Sequence, residues 1–159
     1  MEELIMKKSG IVISIMMSFM FVFFSISVLA QTDSENHAHL SSLNQSIMVR
    51  ANAIATGETK SRNDQITQYN EFRKSLAEAK KTHNLLKKVI PQKAMSDAII
   101  HHDNIDKFYS TATTYANSMA EDLKNENTDE SKLKEHAKKF YDEIALAEKE
   151  HQALIKVTR

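Results

Sequence analysis

The chain has 159 residues, with 21 basic and 21 acidic side chains, no cysteine, one proline and two glycines. The balanced charge argues against a nucleic-acid partner, which needs a basic face to displace counterions, and the lack of cysteine excludes disulfides, c-type haem attachment and a lipid-modified cysteine anchor. Phosphate-cradling loops, nucleophile elbows and hairpin turns rely on glycine, so its scarcity points to an all-helical, non-enzymatic chain.

The first thirty residues read as an export signal. Met6-Lys7-Lys8 is a short basic start, Ile11 to Leu29 is almost wholly apolar, and Val28-Leu29-Ala30 offers compact residues ahead of a cut before Gln31. Basic, then apolar, then small is the order a secretory signal peptide requires. A second reading keeps the segment as an uncleaved anchor. Ile11 to Ala30 is twenty residues, enough at about 1.5 Å per residue to cross a hydrocarbon core of roughly 30 Å. Ser14, Ser18, Ser25 and Ser27 dilute that run, and no charge cluster follows to stop transfer. Both readings put the body in the periplasm or outside the cell, and membrane contact is expected only through an uncleaved N-terminal segment.

Residues 31–159 hold 19 basic and 19 acidic side chains, enough chain for one domain with a dry core. A first apolar stripe runs Leu40, Leu43, Ile47, Ala51 and Ile54, and Gly57 ends it as a C-terminal glycine does. A second runs Tyr69, Phe72, Leu76, Ala79, His83, Leu86 and Ile90, at steps of three or four. Pro91 then interrupts, since proline restrains the residue before it away from helix and suits the first turn of a new one. The third stripe is Met95, Ala98, His102, Ile105, Tyr109, Ala112, Ala116, Met119 and Leu123. After a polar break at 125–129, with Asn127 and Glu130 spaced as a capping box, the fourth runs Leu133, Ala137, Phe140, Ile144, Ala147, His151 and Leu154. Glu121–Lys124, Glu130–Lys134 and Glu135–Lys139 have the spacing of supporting pairs on the outer faces.

Four helices, each apolar on one side and joined by short connections, predict an antiparallel up-down-up-down four-helix bundle. The alternative is an elongated helical hairpin, monomeric or a homodimer, in which the second and third helices form one rod kinked at Pro91.

Three of the seven histidines, His83, His102 and His151, occupy stripe positions. With turns near 60 and 127 at one end of the bundle, these three lie 23, 25 and 24 residues from that end, and His37 lies 23. At about 1.5 Å per residue the four share one level within roughly 3 Å. Imidazoles converging from separate helices are how bundles build metal sites, so these four are candidate ligands for Zn, Cu or Ni. Glu148 precedes His151 by one turn and Asp106 follows His102 by one turn. His37 falls three residues before Leu40, off the phase that Leu40 and Leu43 set. His39, His101 and His136 read as outer positions, His136 far from the layer. The paired Glu-x-x-His of di-iron bundles and the His-x-x-x-His spacing of hemerythrin-like sites are both missing.

The stretches His101-His102-Asp103-Asn104-Ile105-Asp106, Lys134-Glu135-His136-Ala137-Lys138 and Glu148-Lys149-Glu150-His151-Gln152-Ala153-Leu154 give residues 76–156 a cadence similar to that of small exported bacterial helical proteins rich in Lys, Glu, Ala and His. The resemblance implies an envelope location and helical hairpins, and supplies no activity or ligand. Three functions follow as expectations. The first is an exported non-enzymatic bundle with a binding, adaptor or stress-related role toward a protein partner or envelope component. The second is a metal-binding protein using the histidine layer. The third is a membrane-anchored, sensor-like four-helix domain.

Overall fold

Along every helix the buried side chains alternate in steps of four and three, the seven-residue period of helices packed knobs-into-holes. The computed structural model describes residues 33–90, 95–125 and 128–158, which form four helices and no strand. These are α1 (33–55), α2 (Arg62–Lys87), α3 (Met95–Lys124) and α4 (Glu130–Thr158). The expected signal segment, Pro91 and Asn127 lie outside the described residues. So does nearly all of the unit Met1–Glu35; the second unit, Asn36–Arg159, contains the bundle.

The register of the core is regular. On α3 it runs Ala98, His102, Ile105, Tyr109, Ala112, Ala116, Met119, Leu123, and on α4 Leu133, Ala137, Phe140, Ile144, Ala147, His151, Leu154. On α1 the buried residues are His37, Leu40, Asn44, Ile47, Ala51 and Ile54. The expected stripe took Leu43 for the position that Asn44 holds; Leu43 packs against the core only partly buried. With Asn44 in place the steps from His37 onward are three, four, three, four, three, so His37 is in phase after all. Met95, expected on the third stripe, is exposed, because the buried stripe of α3 begins at Ala98. In the middle of the bundle Phe72 stacks on Phe140 with centroids 4.5 Å apart, and Tyr69 meets Phe72 edge-on at 5.2 Å.

Cross-helix pairs fix how the helices sit. His37 and Ser41 on α1 meet His151 and Glu148 on α4, while His101 and Asp122 on α3 meet Glu150 and His136 on α4. Partners ascend one helix as they descend the other, the order an antiparallel pairing requires. The kinked-rod alternative fails on one distance. His83 and His102 are 19 residues apart in sequence, about 28 Å along a continuous helix, yet their ring nitrogens stand 2.8 Å apart. The chain therefore folds back between α2 and α3, and their contacts with α4 and α1 fit a four-helix bundle.

Each end has its own stop. Gly57 adopts φ +75°, and the bonds Glu58 N–H to Ala53 O (2.9 Å) and Gly57 N–H to Ile54 O (3.2 Å) form a Schellman cap on α1. Ser61 caps α2 by accepting from Asp64 N–H at 3.1 Å, and Asp129 accepts from Ser131 N–H at 2.9 Å at the start of α4. The Arg62 guanidinium donates to the carbonyls of Asp122 (2.6 Å) and Asn125 (2.8 Å) and so ties the start of α2 to the end of α3. The three outer pairs expected from spacing are formed at 2.8, 3.0 and 2.6 Å.

A side chain at position 57 would be strained by its backbone, and a Cβ there would meet Lys134 Nζ at 2.8 Å. Gly57→Ala should cost about 1–2 kcal/mol, and Gly57→Asn, which tolerates the left-handed region, less. Urea unfolding of both variants checks this; equal stability to the parent would show that the cap is not holding the end of α1.

Candidate functional site

The layer lies toward the end of the bundle where α2 stops and α3 starts. Each helix delivers one imidazole from its buried stripe, because the heptad that places apolar residues inward places these histidines there too. His37, His83, His102 and His151 are all buried, at 6%, 0%, 2% and 0% exposure. All four expected positions are therefore in the core. They come together as two pairs.

Both pairs are wired alike. His151 Nε2 lies 2.8 Å from His37 Nδ1, and the rings stack at 5.1 Å; His83 Nε2 lies 2.8 Å from His102 Nδ1, with centroids 4.9 Å apart. The far nitrogen of the inner ring faces a carboxylate in each case. His83 Nδ1 is 3.0 Å from Asp106 Oδ1, a polar contact off the line of an aligned hydrogen bond. His151 Nδ1 is 3.5 Å from Glu148 Oε2 and 3.3 Å from Ser41 Oγ. A lone pair cannot face a carboxylate without repulsion, so both inner rings carry their proton on Nδ1. Each then accepts at Nε2 from an Nδ1–H of its partner, His102 or His37.

The carboxylates are themselves held. Glu148 accepts from Ser41 Oγ (2.8 Å), Asn44 Nδ2 (2.8 Å) and Gln152 Nε2 (2.6 Å), and Asn44 Oδ1 accepts from Tyr109 O–H at 2.8 Å. Asp106 accepts from Lys87 Nζ at 2.6 Å. Burial works against the Glu148 carboxylate, but hydrogen bonds from His151, Asn44, Gln152 and Ser41 outweigh it and bring its carboxyl down to about 2. Burial likewise pushes the Tyr109 phenol up, out of the range in which it ionises in water.

His83 and His102 remain neutral imidazoles at pH 7. Burial is the chief cause that lowers His83 to about 4, opposed by Asp106 and helped by Lys87 and His151. Burial also leads for His102, lowered to about 4, with the neighbouring His83, Lys87 and His37 adding to it. His151 is near enough to act on His83, and His37 on His102, so the two pairs are neighbours. A ring kept neutral keeps a lone pair, and a lone pair can take a proton or a cation. Among the described residues, however, no three or more His, Asp or Glu side chains converge on one point that could hold a metal ion.

The other three histidines stand on outer faces, each against a carboxylate from another helix. His39 meets Glu78 at 3.0 Å, His101 meets Glu150 at 2.7 Å, and His136 meets Asp122 at 2.6 Å. Sequence reasoning missed Asn44, Ser41 and Gln152. Asn44 had a signal, since it completes the 3–4 alternation from His37. Ser41 and Gln152 had none, being polar residues at polar positions until Glu148 is placed between them. Comparison with family models, curated proteins and solved structures finds nothing that matches this chain.

The sign of the pH dependence follows from the lowered histidines. Neutral burial of His83 and His102 leaves stability intact above about pH 6.5, and it is lost as pH falls toward about 4. Between pH 7 and 5 each ring should remove roughly 2 kcal/mol of unfolding free energy. Urea titrations at the two pH values test this against His83→Leu/His102→Leu, where most of the slope should disappear. An equal slope in that variant would assign the acid sensitivity elsewhere.

Proposed function

We propose that this chain is an exported, non-enzymatic helical-bundle protein that binds a divalent transition metal, Zn, Cu or Ni, through His37, His83, His102 and His151. The observation that supports this reading is the burial of four imidazoles from four different helices at one level of a mainly apolar core. Polar rings in such a place cost stability unless they are satisfied, and apolar side chains of similar volume would fill the space at less risk. A use for the rings explains their position better than packing does.

The wiring supports the reading. Metal-binding histidines usually pass their second ring N–H to a carboxylate or carbonyl, which orients the ring and raises its basicity. Asp106 and Glu148 hold that place on His83 and His151. A tetrahedral ion with nitrogen ligands at 2.0–2.1 Å sets neighbouring nitrogens about 3.3 Å apart. Each pair stands at 2.8 Å, so binding would part each pair by about half an ångström and draw the two toward one centre. To free the facing nitrogens, the shared N–H proton of each pair would move from Nδ1 of His37 or His102 to that ring's own Nε2, so all four ligands would stay neutral imidazoles. The rings are nearly closed to solvent, which suits an ion and excludes an organic substrate, so no catalytic role is assigned.

Titrating Zn, Cu and Ni into the full chain in mild detergent tests the reading. A metal at one hundred times its dissociation constant should raise the unfolding free energy by about 2.7 kcal/mol, and His102→Gln or His151→Gln should weaken binding at least tenfold. No stabilisation by any of the three ions, or stabilisation unchanged in both variants, would overturn it.

A further inference from the structure

Large apolar side chains that face solvent are not spread evenly over the bundle. Leu85, Val89, Met95, Ile99 and Ile100 are each between 43% and 62% exposed, and all five flank the connection between α2 and α3. Ile90, beside them, is only partly buried. Scattered single apolar residues on a surface need no explanation, but a cluster at one place does. Neither helix needs these residues inward: Leu86 and Ala98 already fill the last core positions on each side.

That end is also where the rest of the chain arrives. The histidine layer joins His37 to His151 and His83 to His102, so the start of the bundle at Asn36, the end of α2, the start of α3 and the end of α4 lie at one end. The apolar run Ile11 to Leu29 precedes this entry point by only six residues, 30–35. Six residues span at most about 20 Å fully extended. With the apolar run retained as an uncleaved anchor, a bilayer that takes it up is within reach of this end of the bundle.

We infer that the α2–α3 end of the bundle docks on a lipid surface, with Ile100, Ile99, Met95, Val89 and Leu85 entering the interface. The exposed charges nearby are mixed, Lys88 and Lys156 against Asp97 and Asp103. The attraction is thus the burial of apolar surface rather than headgroup charge, and a zwitterionic lipid suffices. This inference stands apart from metal binding, since none of the five side chains belongs to the histidine layer.

The absence of cysteine makes a single reporter straightforward. The full chain is reconstituted into phosphatidylcholine nanodiscs carrying an environment-sensitive fluorophore on Ile100→Cys, and separately on Val49→Cys. Val49 is the control because it is apolar and 69% exposed, yet sits about 18 Å along α1 from the histidine layer. The label at position 100 should shift to the blue and be quenched by acyl-brominated lipid at least threefold more than the label at 49, at low and high salt alike. Equal quenching at the two positions would overturn the inference. So would shielding at position 100 that follows protein concentration rather than lipid, which would assign the patch to a second copy of the chain.

Discussion

His83 and His102 can share the interior of this bundle only while they stay uncharged, and the carboxylate behind each imidazole pair sets that pair's direction. Burial removes the solvation that an imidazolium would need, and His83 and His102 fall to about 4 as a result. The protons are then accounted for in series, from carboxylate to inner ring to outer ring, twice over. Asp106 and Glu148 set the direction of each series because they accept and cannot donate. Remove that constraint and the two pairs lose their orientation, and α1 and α4, like α2 and α3, lose part of the polar contact between them.

The same layer also decides where the bundle is polar inside. Below it the core is ordinary, with Phe72 against Phe140 and alanines at Ala51, Ala79, Ala112, Ala116 and Ala137 letting helices approach. At its level Asn44 and Tyr109 replace apolar residues and feed hydrogen bonds toward Glu148. Just beyond it lies the apolar end flanking the α2–α3 connection. Polar chemistry and exposed apolar surface thus gather at the end where the chain enters, while the far end, around Gly57, Ser61 and Asn125, is held by caps and by Arg62.

Much of this was legible in the residues. Steps of three and four outlined four helices, Gly57 marked the end of α1, and counting from the turns put four histidines at one height. The slips were local. Leu43 was read inward in place of Asn44 because apolar character outweighed phase, and that one substitution made His37 look misplaced. Met95 was read inward because it continued a stripe that in fact begins at Ala98. A periodic pattern identifies a face, but it does not say which side chain at its edge the neighbouring helix will cover.

By itself the sequence determined the helices, the stop at Gly57 and the level at which the imidazoles fall, since periodic spacing and a known rise per residue set the first and the last. Only the tertiary structure decided that the four rings meet as two pairs, which nitrogen of each faces its partner, and that Ser41, Asn44 and Gln152 surround one carboxylate. Those choices depend on helix rotation and side-chain direction. Atoms from α1 and α4, more than a hundred residues apart, must lie within hydrogen-bond reach before either has a partner.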